Sequence, residues 1–350
     1  MAQQPPLSAL DIRTARLDRP ELRARDFADQ IGITEAALLD AHVGPRVTRI
    51  TADPDRLMPA AERLGEVMAL TRTPSCVHEK IGNYANYRSG EHAAMVLNDA
   101  IDLRIFARHW VHAFALDETT EKGPRRAIQV FDAAGDAVHK IHLRPGSNHD
   151  LWDDIVADLR LPDNPSSMIL ADRDIPEAPK VRPDRADELR EHWDALTDTH
   201  QFVTMVSRLR MNRLGAYRVV GAPYVRPLDP RACGRLLESI AGSEVPVMVF
   251  VGNMGCIQIH SGPIVTVRPM GPWLNVMDPG FNLHLRGDHV AELWEVHKPT
   301  KRGRVTSVEA FDSEGRIIFQ IFGTRKPEDR MAEFAELVER LPGVSSEVPA

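Results

Sequence analysis

Cysteine is scarce: the chain holds only Cys76, Cys233 and Cys256. An odd, scattered set supports neither a disulfide framework nor a cysteine-based zinc cluster, so the three read as buried thiols. Positive charge is not in excess, with 43 Lys and Arg against 50 Asp and Glu and a net charge of −7. A general nucleic-acid binder draws its affinity from surplus cations, so that class is excluded, local basic pockets aside. No apolar run approaches the roughly 20 residues needed to span a bilayer. Residues 1–20 are polar and contain prolines, without the basic stretch leading into an apolar one that marks an export signal. No membrane insertion is expected, and the expected location is cytoplasmic. A Gly-rich phosphate loop, a Cys-x-x-Cys pair, a nucleophile elbow and a His-Glu-x-x-His helix are all missing. What is present is a globular composition, 43% apolar and 27% charged, long enough at 350 residues for two domains.

The main positive feature is an internal repeat. Shifted by 180 residues, positions 67–141 fall onto 247–321 without a gap, and fourteen of the 75 pairs are identical, among them Cys76/Cys256, Arg88/Arg268, His109/His289, Phe131/Phe311, Asp132/Asp312 and Gly135/Gly315. Ordinary composition gives roughly five such matches by chance. The chain therefore reads as a duplicated domain. Paired positions share backbone roles, so places where the copies differ in chemistry are where function has been added.

Residues 21–44 read as short helices with Gly32 between them, and Asp53-Pro54 opens another over 55–65. Short strands follow at 67–70, 76–81, 84–87, 94–97, 101–106, 110–116, 127–131 and 138–143, the spacing of an antiparallel meander. The Asp132 to Gly135 and Asp312 to Gly315 segments are expected hairpin turns, with Gly at the position of positive φ. Helices near 150–159 and 327–341 close the two copies. The predicted class is α+β, a tandem duplication in which each half has helices, a large antiparallel meander sheet and a closing C-terminal helix. The expected boundaries are 21–160 for the first repeat, 161–190 for a Pro-rich linker and 191–342 for the second repeat.

Three differences between the copies stand out. In the second, Asp198 and Gln201 have capping-box spacing, which places His200 at the start of a helix whose core face is Phe202, Met205, Val206 and Leu209. His200 falls on the opposite side with Val203, Thr204 and Ser207. A helix N-terminus disfavours imidazolium, so His200 is expected to be neutral and able to offer a lone pair; taken alone, the residues favour a surface or cap-associated histidine over a ligand. Second, Arg104 and Phe106 share a strand face where the other copy has His284 and Arg286. An Arg beside an aromatic grips a carboxylate or lies over a flat π-system, or the face is simply solvated. Third, His78 stands opposite Gln258, either hydrogen-bonded or a ligand. His139 with His142 and His109 with His112 are three apart on strands and point to opposite faces, which argues against metal pairs. Arg208, Arg210, Arg213, Arg218, Lys298 and Arg325 are candidate anion contacts or ordinary surface.

Over residues 21–342 the chain resembles the bacterial hemin-degrading factor family, also called haem-utilisation or haem-transport proteins. The resemblance rests on the joint order of Leu196-Thr-Asp-Thr-His200-Gln-Phe202, Val67-Met-Ala-Leu-Thr-Arg72 with Val77-His78-Glu79, Asp102-Leu-Arg104-Ile-Phe106, and Trp294 through Lys298-Pro299-Thr300. It implies a cytoplasmic protein of haem-importing bacteria that accepts b-type haem for iron acquisition. It implies His200 as the iron ligand, Arg104 on the distal side and catalytic if the ring is opened, Phe106 and Phe250 as aromatic contacts, Lys298 and Arg325 as propionate contacts, and His78 as the ligand of a second site. One departure is read at Phe319, where relatives carry a polar Tyr; losing that hydroxyl weakens the case for ring opening. Both a degrading enzyme using an external reductant and a pure carrier delivering to a separate haem oxygenase fit the same residues, with a haem ABC transporter and an oxygenase or reductase as implied partners. A cofactor-free interaction protein is the reading from another class.

Overall fold

The structure is a computed structural model that describes residues 7–120, 123–162, 168–325 and 329–344. The chain forms two compact units, and neither is a simple half. The first takes in Met1–Arg72, Glu79–Asp174 and Asn253–Gln258, the second Thr73–His78, Ile175–Gly252 and Ile259–Ala350. Each unit therefore includes six residues from the other copy of the repeat.

In the first unit the helices Ala24–Ile31 and Glu35–Ala41 occupy the expected stretch, the former ended by Gly32 at φ 73°. Pro54–Arg63 begins where Asp53-Pro54 predicts, with the Asp53 carboxylate accepting from the Asp55 N–H. A further helix, Ala9–Leu17, is capped reciprocally by Ser8 and Asp11. The sheet runs in the order Val47–Ile50, His112–Thr120, Gly123–Phe131, Ala137–Leu143, Val67–Arg72, antiparallel throughout. This order differs from a sequential meander: Val67–Arg72 pairs beyond Ala137–Leu143, and the four-residue strand Val47–Ile50 lies outside every expected strand. The expected strand 84–87 survives only as Tyr87–Arg88, which with Ala94–Leu97 and Asp102–Ile105 makes a short ladder. One sheet face packs Ile50, Ala113, Ala115, Ile128, Val130 and Ile141 against Leu57, Met58, Trp152 and Ile155 of the helices Pro54–Arg63 and Trp152–Leu159. On the other face Phe114, Leu116 and Phe131 meet Ala36 and Leu39. Covered on both sides, the central strands carry runs of buried residues instead of strict alternation.

The second unit repeats the plan. Its sheet order is Val225–Leu228, Glu292–Lys298, Val305–Phe311, Ile317–Gly323, Val247–Gly252. Its ladder is Val267–Met270, Trp273–Asp278, Phe281–Arg286. The helices Cys233–Ser243 and Met331–Glu339 cover one face through Leu236, Leu237, Ile240, Phe334 and Val338. Ala186–Asp194, Gln201–Arg208 and Arg213–Val220 cover the other through Leu189, Trp193, Phe202, Val206 and Tyr217. Both predicted hairpins form: the Asp132 and Asp312 carboxylates each accept two backbone N–H bonds, and Gly135 and Gly315 sit at φ 86° and 81°.

The Pro-rich stretch ends in structure, because Pro183 opens a 3-10 turn that runs into Ala186–Asp194; residues 163–167 of it lie outside the described residues. Before that turn the backbone of Lys180 lies across the helix Arg213–Val220 at Gly215. A Cβ there would come within 1.9 Å of the Lys180 carbonyl oxygen, so only glycine fits the crossing. The Asn212 side chain fixes it by accepting from the Lys180 N–H at 3.0 Å.

Candidate functional site

His200 occupies the residue before the helix Gln201–Arg208. As the helical period predicts, Phe202, Met205, Val206 and Leu209 are buried, while Val203, Thr204 and Ser207 are exposed. The Gln201 side chain reaches back to accept from the N–H groups of Thr197 and Asp198 at 3.0 and 3.3 Å, the returning half of the anticipated capping box. The start of the helix is tied to the sheet by Trp193, whose indole N–H donates to the His297 carbonyl at 2.8 Å, and by the Lys301 N–H to Thr197 at 3.0 Å. The His200 side chain is 93% exposed, and its Nδ1 lies 2.6 Å from the Asp198 carboxylate, which also accepts the His200 backbone N–H at 2.8 Å. These two bonds hold Asp198 below its ordinary pKa. In the tautomer that gives Nδ1–H to the carboxylate, the lone pair sits on Nε2, facing away from that partner.

Beneath the helix lies a buried charge cluster. Lys298, 3% exposed, donates to Glu309 at 2.8 Å and to the Tyr217 hydroxyl at 3.1 Å. Glu309 also accepts from Arg213 at 2.9 Å, Tyr217 at 2.8 Å and Ser307 at 3.0 Å. Burial opposes ionisation of Glu309, but the Lys298 and Arg213 charges outweigh it and bring its pKa down to about 2. Burial draws Lys298 down to about 8, against the pull of Glu309. The Lys298 ammonium lies 4.6 Å from the centre of the Phe202 ring and the Arg213 guanidinium 5.4 Å. The helix that carries His200 thus rests on an aromatic ring held by two cations. Lys298 spends its charge inside the unit and meets a propionate only by giving up Glu309.

Of the other expected residues in this unit, Phe250 is half-buried and packs edge-on to Phe322, centroids 5.1 Å apart. Arg325 lies 3.4 Å from Asp329 and donates to the Arg302 carbonyl at 3.0 Å. Phe319 faces the core with Val249 and Ile321. His78 is fully buried with its ring 5.0 Å from Phe281, so it reaches a bound ligand only if the strand around it opens. In the first unit Arg104 pairs with Asp102 on its own strand and donates to the Leu103 carbonyl, while Leu103 and Ile105 are buried. Phe106 falls just past that strand, its N–H donating to Gly255 at 3.0 Å.

Sequence reasoning missed Glu309 and Tyr217. A usable signal existed, because Glu309 aligns with Gln129, and each is a polar residue flanked by apolar ones, Val308 and Ala310 in one copy and Ile128 and Val130 in the other. Among the described residues no group of three or more His, Cys, Asp or Glu side chains is arranged to hold a metal ion, and no helix is long and apolar enough to cross a membrane.

Comparison with known proteins gives a consistent result. Residues 32–159 and 210–341 each match the model of the haemin-degrading HemS/ChuX domain. The chain is 38% identical over 331 residues to the hemin transport protein HmuS of Yersinia pestis, covering 93% of this chain and 95% of that one. It is similar to holo-PhuS, a heme-binding protein from Pseudomonas aeruginosa, at 40% identity and a TM-score of 0.91, over 96% and 98% of the two chains. It also resembles ChuS, described as an E. coli heme oxygenase, at 34% identity and a TM-score of 0.84, over 95% and 99%. With the duplication, the α+β plan and these likenesses in agreement, the chain belongs to the haemin-degrading HemS/ChuX family.

Proposed function

We propose that this chain binds haem through His200 and passes it on during bacterial iron acquisition, the porphyrin being cargo and not a resident cofactor. The observation that carries the reading is the His200 imidazole, exposed at a helix start, with Nδ1 held by Asp198 and Nε2 free to ligate iron. The second unit supplies apolar surface at Val203, 57% exposed, and at the Phe250–Phe322 pair, and a cation at Arg325. Haem would bring an iron for which the His200 imidazole is the proposed ligand. Arg104 and Phe106 enter on their sequence motif alone: Arg104 is proposed as a distal-side group and Phe106 as an aromatic contact. Lys298 acts through Phe202, keeping the ligand helix seated. The proposal is not extended to His78, which is enclosed in its unit. The source of haem is a membrane transporter, met on its cytoplasmic side.

The experiment is a hemin titration followed by visible spectroscopy. Wild type gives a sharp Soret shift saturating at one equivalent. His200→Ala loses the axial-ligand spectrum and Arg104→Ala changes it while the fold is kept. An unchanged spectrum for His200→Ala refutes the assignment. Ring opening is the second reading, favoured by the ChuS relative; incubating the complex with ascorbate and catalase separates the two, since a carrier keeps its Soret band and releases no iron.

A further inference from the structure

The first unit carries polar chemistry in its core that haem binding does not use. The Tyr84 hydroxyl lies 2.5 Å from His139 Nε2, and His139 Nδ1 lies 2.9 Å from the Thr71 hydroxyl. Thr71 in turn donates to Gln258 Oε1 at 2.9 Å, and the Gln258 amide donates to the Ala69 carbonyl at 3.0 Å. Because the single Thr71 proton is used toward Gln258, Thr71 accepts from Nδ1–H, which leaves the Nε2 lone pair to accept from Tyr84. The chain is directed from end to end: phenol to imidazole to hydroxyl to amide. All four side chains are at most 1% exposed. Burial, reinforced by His142, brings His139 down to about 3, so the ring is the neutral acceptor this direction requires. The Trp110 ring stacks on His139 with centroids 6.0 Å apart, and Trp110 reaches the surface at 6% exposure.

The repeat shows that the scaffold does not need this wire. Shifted by 180 residues, Thr71, Tyr84, Trp110 and His139 become Val251, Ile264, Val290 and Phe319, all packed in the apolar core of the second unit. The same fold is thus built there without the phenol, the imidazole and the hydroxyl, Gln258 having a polar counterpart in the buried His78; burying such groups is costly unless every member is satisfied.

We propose that Tyr84 and His139 form a redox-active pair. A one-electron oxidant, of the class a metalloporphyrin becomes after meeting peroxide, takes one electron from the Tyr84 phenol by way of Trp110. As the electron leaves, the phenol O–H bond breaks and an N–H bond forms at His139 Nε2. The products are a neutral phenoxyl radical, an imidazolium and the oxidant reduced by one electron. The pair would collect oxidising equivalents inside the first unit, away from surface side chains. Tyr217, also fully buried, donates to the Glu309 carboxylate but accepts hydrogen bonds from two cations, Lys298 and Arg213, and the net positive field of these three groups makes it a poorer electron donor.

The test uses the haem-free protein, so its outcome is independent of the haem site. Photogenerated tris(bipyridine)ruthenium(III) serves as the oxidant, and freeze-quenched samples are read by electron paramagnetic resonance. Wild type gives a tyrosyl signal that outlasts those of the half-buried Tyr87 and Tyr224; it is lost in Tyr84→Phe and kept in Tyr217→Phe, and Trp110→Phe slows its formation. In protein refolded in deuterated buffer, the radical shows hyperfine coupling to one exchangeable deuteron donated from His139, a readout that needs no His139 variant to fold. A signal that survives in folded Tyr84→Phe, the absence of any long-lived tyrosyl signal in wild type, or the absence of that deuteron coupling overturns the proposal.

Discussion

Glu309→Gln removes one charge and little volume, and its cost can be worked from the structure in two ways. The carboxylate is fully buried and shared by Lys298 and Arg213. Without it two cations stay beneath Phe202 with a neutral amide between them, whose NH2 group must face one of them. Breaking a buried pair by removing one partner costs about 3–5 kcal/mol. Arg213 is 26% exposed and keeps some access to water, which favours the lower end. Independently, the fall of Glu309 from 4.5 to about 2 corresponds to about 3 kcal/mol of preference for the charged carboxylate in the folded state. For a unit of this size about 3 kcal/mol lowers Tm by roughly 6–12 °C. Thermal unfolding followed by the fluorescence of Trp193, which packs on Phe202, reads it. Because the folded pKa is depressed, the stabilisation is complete above pH 4.5 and disappears as pH falls toward 2, so the variant and wild type converge in acid. Adding Lys298→Met to Glu309→Gln should restore part of the loss by removing one stranded cation. A Tm within about 2 °C of wild type at pH 7, or strictly additive effects in the double variant, would refute the reasoning.

Three further outcomes are expected. His139 goes from 6.5 to about 3 on folding, so its contribution is full above pH 6.5 and is lost as pH falls through 3. The advantage of wild type over His139→Gln, measured by urea unfolding, should shrink across that window by up to about 5 kcal/mol; a constant difference would contradict a neutral buried ring. Gly215→Ala pushes a methyl group into the Lys180 backbone and should cost about 1–3 kcal/mol, with faster amide exchange at Lys180; an unchanged exchange rate counts against the crossing. Asp198→Ala frees His200 Nδ1 and should weaken hemin binding by about tenfold while the helix persists; equal affinity would mean that the carboxylate does not orient the ring.

How much of this was legible in the sequence depends on how far apart the interacting residues lie. The face of Gln201–Arg208 was readable because Phe202, Met205, Val206 and Leu209 obey a local period, and the hairpins because Asp132/Gly135 and Asp312/Gly315 occur twice. The pairing of Val67–Arg72 with Ala137–Leu143 was not, since strand order is settled by packing between segments about seventy residues apart. Val47–Ile50 is too short to show a period. The helix Ala186–Asp194 was masked by neighbouring prolines and charges, with only Leu189 and Trp193 buried. At the site, the exposed placement of His200 followed from the helix period. The partnership of Lys298 with Glu309 could not be read, since each residue alone suits a solvated strand. The same holds for Tyr84, His139, Thr71 and Gln258, whose contacts span 55 to 187 positions.

The exchange of six-residue pieces has a practical outcome for anyone who would divide the gene. A product ending at Asp174 would lack Asn253, whose amide donates to the carbonyls of Arg72 and Val138 at 3.1 and 2.8 Å. It would also lack Cys256 from its interior. A product starting at Ile175 would miss Cys76 from its own. Such fragments would be stickier and shorter-lived than the intact polypeptide, and selection would therefore keep both copies under a single reading frame.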